Sequence, residues 1–165
     1  MGNGDDRYYS LRLEVRAFIG VCILLATGLT TDLRAQAIAV QGGNPTLSIT
    51  TAVAGGEPIP VVNVATSLRY QRRFVTQKIT VATVCPSQSF ILKVVATNVT
   101  SGVAQPEVTL TNGMLAVDLV RSIPWGFFNF ATCILQYTAS ATFAQGNSAD
   151  LGNDGHTVTY TIVRQ

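Results

Sequence analysis

The chain has 165 residues, of which 47% are hydrophobic and only 12% are charged, and its formal net charge is +2 at pH 7. That length predicts one domain. The sparse charge excludes a disordered polyelectrolyte and supplies no basic surface for nucleic acid, so no nucleic-acid partner is expected.

Residues 1–37 have the three parts of a secretory signal peptide. A polar segment with three arginines precedes an uncharged apolar run over residues 17–29, and the segment ends at Ala35-Gln36-Ala37. Signal peptidase requires small side chains at such a site, and the run is shorter than the roughly 20 residues of a membrane span. We therefore expect a secreted, extracellular protein with no membrane attachment after cleavage; an uncleaved anchor is the alternative.

The remaining 128 residues, 38–165, have the composition of a β protein. Valine and threonine each occur seventeen times there, and β-branched side chains favour pleated strands over helices. Apolar and polar residues alternate with period 2 between short turn segments. We predict strands near residues 46–53, 60–70, 74–84, 90–98, 106–111, 114–121, 130–144 and 157–163.

These elements predict an all-β fold, an antiparallel immunoglobulin-like or jelly-roll β-sandwich of about seven to eight strands. Asn112-Gly113 lies between two of the predicted strands and is typical of a type I′ hairpin. We divide the exported chain into residues 38–54, an N-terminal extension or exchangeable donor strand, and residues 55–165, the sandwich domain.

Two cysteines remain after cleavage, Cys85 and Cys133. An even number of cysteines in an exported protein indicates a disulfide, which would close a loop of about fifty residues. Two buried free thiols are the alternative.

Catalytic groups are scarce in the exported chain. His156 is the only histidine, and we expect it on the surface at the start of the last strand. A Ser-His-Asp site would have to combine it with Asp150 or Asp154, so we expect no enzyme and no cofactor. Residues 149–155 hold oxygen donors for calcium but lack the full spacing of a calcium loop, and no metal is expected.

The segment around Trp125, Phe127 and Phe128 is the densest aromatic stretch and a candidate ligand surface. Packing of these side chains in the core near Cys133 is the alternative, and it is the one we expect. The one basic cluster comprises Arg69, Arg72, Arg73 and Lys78, which we expect at a solvated hairpin end.

The two ends of the exported chain alternate most regularly. Leu47, Ile49, Thr51 and Val53 form one face of a first strand that can pair with its own sheet or complete a neighbouring subunit. In the final strand, Val158, Tyr160 and Ile162 form the corresponding apolar face, to which an exchanged strand would be added.

Together, the signal peptide, the Thr/Val-rich sandwich and these alternating ends resemble secreted pilin or fimbrial subunits of the chaperone–usher or spore-coat-U-like kind. The resemblance implies a non-enzymatic structural subunit of an extracellular bacterial filament. It implies head-to-tail homopolymerisation by donor-strand exchange, with an assembly chaperone or outer-membrane export machinery as further partners, and a part in cell adhesion. The alternative function is a secreted carbohydrate- or surface-binding β-sandwich module.

Overall fold

Two antiparallel sheets packed face to face form a β-sandwich, which confirms the predicted fold class. The computed structural model describes residues 11–12, 38–52, 54–145 and 151–165. The expected signal peptide therefore lies outside the described residues except for Leu11–Arg12.

Eleven strands form within the described residues: β1 (Leu11–Arg12), β2 (Ile38–Gln41), β3 (Thr46–Leu47), β4 (Val61–Gln71), β5 (Gln77–Val84), β6 (Ile91–Thr97), β7 (Val103–Ala104), β8 (Val108–Leu110), β9 (Val117–Ile123), β10 (Phe130–Ser140) and β11 (Thr157–Arg164). One sheet has five strands in the order β2-β4-β10-β6-β8, and the other has four in the order β11-β5-β9-β7. β1 and β3 form a separate ladder, and a short 3-10 helix covers Phe143–Gln145.

Alternation along the strands determines which side chains form the interior. Every second residue of β10 from Ala131 to Ala139 is buried, while the residues between them are more exposed. Side chains from the inner faces of both sheets meet in one hydrophobic cluster, whose largest fully buried members are Tyr70 and Tyr137. Burial of this apolar surface, at about 25 cal/mol per Å², is the main favourable contribution to folding.

Seven of the eight predicted strands correspond to β4, β5, β6, β8, β9, β10 and β11, with ends that differ by a few residues. The prediction for residues 46–53 is wrong in extent, because only Thr46–Leu47 is a strand and Ala52 forms an isolated bridge with Pro58. β2 and β7 were not predicted, since strands of four and two residues are too short to show alternation.

The predicted hairpin at Asn112-Gly113 is wrong. β8 pairs with β6 in the five-stranded sheet, whereas β9 pairs with β5 and β7 in the other. A type I′ turn requires positive φ at both central residues, but of these two only Gly113 has it, at 69°. The Asn112 Oδ1 instead accepts a hydrogen bond of 2.9 Å from the Cys85 N–H. This turn therefore carries the chain from one sheet to the other.

Candidate functional site

The N-terminal part of the expected mature chain completes its own domain. β2 pairs with β4 from Ile38↔Tyr70 to Gln41↔Ser67, at the edge of the five-stranded sheet. Further along, Leu47 and Ile49 are 0% and 1% exposed and belong to the hydrophobic core.

The predicted donor strand is thus only partly correct in its geometry. Leu47 and Ile49 are buried, but Thr51 is exposed, and Val53 lies outside the described residues. Pairing with a large sheet occurs at residues 38–41 instead of 46–53, because the chain turns between these two stretches.

Residues 45–49 alternate as a strand does, but their backbone joins neither large sheet. The odd-numbered residues are buried and the even-numbered ones are exposed. Where the structure describes the chain, β3 pairs only with β1, which belongs to the expected signal peptide. Side-chain burial therefore holds this segment more than backbone pairing does.

Two glycines separate β2 from this segment. Gly42 and Gly43 have φ values of 96° and 78°, a region that residues with a Cβ rarely adopt. A Cβ at Gly42 would lie 2.0 Å from the Ala65 carbonyl oxygen, whereas a Cβ at Gly43 would meet no atom within 4 Å. Gly42 therefore permits the close approach of the chain to β4 where β2 ends.

The final strand, β11, has the geometry that its alternation predicts. Val158, Tyr160 and Ile162 all face the core. β11 is an edge strand of the four-stranded sheet and pairs with β5 from Thr157↔Val84 to Arg164↔Gln77. Its other edge has no strand partner among the described residues, so hydrogen-bonding groups remain there for a further strand.

An aromatic patch of four side chains, Phe74, Trp125, Phe127 and Phe128, lies on the surface. Trp125 is 57% exposed and Phe127 is 69% exposed, so the expected packing in the core is wrong. Phe74 makes edge-to-face contacts with Phe127 and Phe128, at centroid distances of 5.5 and 5.1 Å, and Trp125 makes one with Phe127 at 5.5 Å. The candidate ligand residues are therefore brought together.

The loop that carries the aromatic patch is held in a strained conformation. Phe128 has a φ of 55°, which is rare for a bulky side chain and costs on the order of 1–3 kcal/mol. Two backbone hydrogen bonds of 2.8 Å hold the loop to the β4–β5 connection, Gly126 N–H to Arg73 O and Arg72 N–H to Asn129 O. These hydrogen bonds hold the loop in a conformation that keeps the large apolar side chains of Trp125 and Phe127 exposed.

The basic cluster supports this loop, which differs from the expected solvated hairpin end. The Arg72 guanidinium donates to the carbonyl oxygens of Trp125, at 2.8 Å, and Pro124, at 3.3 Å. The Arg69 guanidinium carbon lies 3.4 Å from the centroid of the Phe130 ring, in a cation–π contact. Lys78 forms an ion pair of 2.8 Å with Asp118.

The predicted disulfide is wrong, because Cys85 and Cys133 are both free and buried. Ser140, the last residue of β10, pairs with Ile91, and Ile91 and Cys85 line the same groove. Cys133 lies seven residues before Ser140 on β10. At about 3.3 Å per residue, Cys133 lies roughly 20 Å along β10 from the end of that strand, where the groove lined by Cys85 is found, so the two thiols are not placed to form a disulfide. Burial raises the pKa of the Cys133 thiol to about 11, and a hydrogen bond from the Leu68 backbone lowers it in part.

Cys85 instead lies in a buried cluster with Asp154 and His156. His156 is completely buried, so its expected position on the surface is wrong. In the antiparallel ladder Thr157 is paired with Val84, which brings His156 opposite Cys85 at the next position. Thr83 Oγ1 is 3.2 Å from His156 Nδ1. The residues of this cluster come from the middle and the C-terminal part of the exported chain.

Burial also governs the ionisation of this cluster. Desolvation and then the nearby Asp154 carboxylate raise the pKa of the Cys85 thiol, while hydrogen bonds from the Gly155 and Ser87 backbone lower it. Desolvation lowers the pKa of His156, and Asp154 raises it in part. The Cys85 thiol and the His156 imidazole are therefore both neutral at pH 7 when no metal is bound.

Asp154 has a structural role that the sequence did not suggest. Its carboxylate accepts hydrogen bonds from the Ser89 N–H, at 2.9 and 3.0 Å, and from the Phe90 N–H, at 2.8 Å. It therefore ties the chain before β11 to the turn before β6. Residues 149–155, considered above as a source of calcium ligands, contain one other acidic residue, Asp150, which lies outside the described residues.

This cluster was not predicted, because Asp154 lies 69 positions after Cys85 along the chain. The available signal was the position of Cys85 directly after one alternating strand and of His156 directly before another. That signal becomes informative only once the two strands are known to be neighbours.

Among the described residues, no helix has both the length and the apolar character needed to cross a membrane. In comparisons with known proteins, no family model, no curated protein and no solved structure matches the chain.

Proposed function

We propose that this chain is a non-enzymatic structural subunit of an extracellular bacterial filament, which polymerises head to tail by exchange of its N-terminal segment. The observation that carries the proposal is the burial of Leu47 and Ile49, which come from a segment whose backbone belongs to neither large sheet. A segment held mainly by apolar side chains can bury the same side chains in a second copy of the domain.

The position of β2 supports exchange of residues 38–49 as a unit. β2 has only four residues and lies at the edge of its sheet, so its departure disrupts one short ladder. An exchanged copy forms the same ladder with β4 of the next subunit, and the net cost in hydrogen bonds is therefore small. Gly42 and Gly43 allow the chain to turn between β2 and residues 45–49 of the segment.

The opposite end of the proposed contact is a groove between β4 and β11, because β2 pairs with β4 and also contacts β11. Departure of residues 38–49 uncovers β4 and the core where Leu47 and Ile49 were buried. When each subunit gives its segment to one neighbour and receives a segment from a different one, the contact is heterologous and produces an open fibre; reciprocal exchange between two subunits would close a dimer instead. A chaperone or an outer-membrane export machine that covers the groove before assembly is the partner that this scheme requires.

A disulfide that ties β2 to β4 within one subunit tests the proposal. Gln41 and Ser67 are paired residues in this ladder, so Gln41→Cys combined with Ser67→Cys locks the segment in its own domain. We expect the oxidised variant to be secreted as a monomer, and reduction to restore fibres, as seen by size-exclusion chromatography and electron microscopy.

The matched control places a disulfide between strands that do not exchange. Ser67 is also paired with Ile134 of β10, so the control variant combines Ser67→Cys with Ile134→Cys. It should form fibres whether oxidised or reduced. Fibres from the oxidised Gln41/Ser67 variant, or a stable monomer from the unaltered protein, would exclude the proposed exchange.

The second candidate function is binding of a carbohydrate or another surface ligand, and the exposure of the aromatic patch favours it. Contiguous exposed apolar side chains mark interaction sites, and this patch is held outward at the cost of backbone strain at Phe128. Arg72 supports the loop by donating to the carbonyl oxygens of Pro124 and Trp125, and the Trp125 and Phe127 side chains remain more than half exposed.

Iodide quenching of the Trp125 fluorescence, with and without a panel of polysaccharides, tests this candidate. Quenching without ligand, and protection by one polysaccharide that Phe127→Ala abolishes, support a binding surface. Absence of quenching in the isolated protein, or equal behaviour of Phe127→Ala, argues against it. Leu115→Ala is a suitable control, because Leu115 is exposed before the start of β9, whereas the loop of the aromatic patch follows the end of β9.

A further inference from the structure

The end of β5 and the residues before β11 bring together three side chains of the kinds that bind transition metals. The Cys85 Sγ, a carboxylate oxygen of Asp154 and a ring nitrogen of His156 all lie within 4.8 Å of one another. All three residues are buried. Sulfur, nitrogen and oxygen donors that converge in the interior need a partner, because each loses its contact with water there.

Hydrogen bonds around His156 bear on which of its nitrogens carries the proton. The Thr83 hydroxyl donates its single proton to the Thr157 carbonyl oxygen, at 3.3 Å. In this arrangement Thr83 Oγ1 accepts its contact with His156 from a protonated Nδ1, whereas the opposite tautomer would take the Thr83 proton instead. With Nδ1 protonated, Nε2 is left with a lone pair, which is the form of imidazole that binds metals.

His156 Nε2 has no hydrogen-bond partner although it is completely buried. The Cys85 thiol is nearby but does not donate to it. An unpaired polar atom in the interior is unfavourable and uncommon in native proteins. A metal ion would give this nitrogen a bonding partner. The contact of Nδ1 with Thr83 would then orient the ring, as the outer partner of a metal-binding histidine commonly does.

Asp154 retains a binding position in spite of its hydrogen bonds. Its Oδ2 accepts from two backbone N–H groups, whereas its Oδ1 accepts from one, that of Ser89. A carboxylate oxygen has two lone pairs, so Oδ1 has one left. In the part of the chain that the structure describes, no lysine or arginine forms an ion pair with Asp154.

We propose that Cys85, Asp154 and His156 bind one divalent transition-metal ion of the zinc class, with Cys85 Sγ, Asp154 Oδ1 and His156 Nε2 as the ligands. Thiolate and imidazole select zinc and related ions over calcium and magnesium. A thiolate, a carboxylate and a neutral imidazole together carry two negative charges, which a divalent cation cancels. The site would join the ends of β5 and β11 to the turn before β6.

An open groove beside the cluster gives the ion access from solvent. The groove has a volume of about 430 Å³, and Cys85, Gln88, Ser89 and Asn112 are among the residues that line it. Three protein ligands leave a fourth position of a tetrahedral ion for water, and a groove that reaches Cys85 can supply that water.

Cobalt titration of the chelator-treated full chain tests the site without any substitution. We expect one Co²⁺ per chain and a thiolate-to-cobalt charge-transfer band, and Zn²⁺ should displace the cobalt and raise the thermal midpoint. Cys85→Ser should abolish the band, whereas the matched control Cys133→Ser, at the other buried cysteine, should retain it. No band in the unaltered protein, or a band that persists in Cys85→Ser, overturns the proposal.

Thr83→Val supplies a second test if Cys85→Ser fails to fold. This substitution leaves all three ligands in place and removes the Thr83 hydroxyl, which contacts His156 Nδ1 and also donates to the Thr157 carbonyl oxygen. Loss of such an outer partner lowers metal affinity about 10–100-fold, so the Co²⁺ titration should shift by that factor. Unchanged affinity in a folded Thr83→Val protein overturns the assignment of His156 as a ligand.

Discussion

The hydroxyl groups of Tyr137 and Tyr160 are hydrogen-bonded to each other in the interior, where they join β10 of one sheet to β11 of the other. Both residues are buried, and burial is the first cause that raises the pKa of each hydroxyl. Each hydroxyl satisfies the other, so the pair avoids the cost of a buried polar group without a partner.

Replacement of one tyrosine of this pair should cost more than replacement of both. Tyr137→Phe leaves the Tyr160 hydroxyl unpaired, and the reverse holds for Tyr160→Phe, so each should lower the free energy of unfolding by about 1–3 kcal/mol. The double variant removes both polar groups and should be much less destabilised than the sum of the two. Urea unfolding of all four proteins measures this coupling, and additive effects would contradict the pairing.

Alkaline pH should destabilise the fold through its buried tyrosines. Burial, with a smaller contribution from Cys133, raises the pKa of Tyr70 from 10.0 to about 12, and a hydrogen bond with the Ser101 backbone and the nearby Arg72 lower it in part. The neutral form is favoured in the folded state, so the stabilisation is complete below pH 10 and is lost as the pH rises through 12. Absorbance titration should show tyrosines that ionise only on unfolding; ordinary titration of all five would contradict this.

The cysteines should behave as protected thiols. The thiolate is the reactive form, and the pKa of Cys133 is raised by burial, so its alkylation in the folded protein at mildly alkaline pH should be much slower than in denaturant. Denatured without a reductant but with a chelator, the protein should carry adducts at both Cys85 and Cys133. Peptide mapping that recovers a peptide with these two cysteines joined would contradict the structure.

Gly42→Ala and Gly43→Ala should differ in their effect although the two glycines are neighbours. Both replacements put an alanine at positive φ, which costs about 1–2 kcal/mol. Only the alanine at position 42 would also press against the Ala65 carbonyl oxygen, so Gly42→Ala should lower the free energy of unfolding further and loosen β2. Hydrogen exchange at Ile38–Gln41 reports that loosening, and equal effects of the two substitutions would be inconsistent with the close approach.

Local pattern was sufficient to predict most strands and the class of fold. Period-2 alternation is a property of each strand by itself, so Val158, Tyr160 and Ile162 could be assigned to one buried face without knowledge of the neighbouring strand. The same reasoning failed at Asn112-Gly113, because a turn sequence does not specify whether the next strand joins the same sheet.

Features that depend on strand order could not be predicted in this way. The separation of Cys85 from Cys133 follows from their positions along the strands, since Cys85 follows the end of β5 whereas Cys133 lies seven residues from the end of β10 that pairs with Ile91. The meeting of Cys85 with His156 follows from the register of β5 with β11. Exposure of Trp125 depends on a loop conformation with positive φ at Phe128, for which that residue type gives no signal.

The central claim, exchange of the N-terminal segment, is tested most directly by two variants secreted together, each with one engineered cysteine beside the buried Cys85 and Cys133. One carries Gln41→Cys and the other Ser67→Cys, so a disulfide between the engineered sites can form only if β2 of one subunit pairs with β4 of another. We predict such disulfides in assembled fibres, identified by peptide mapping across the two different chains. Fibres that contain no disulfide between the two variants would contradict donor-strand exchange through this segment.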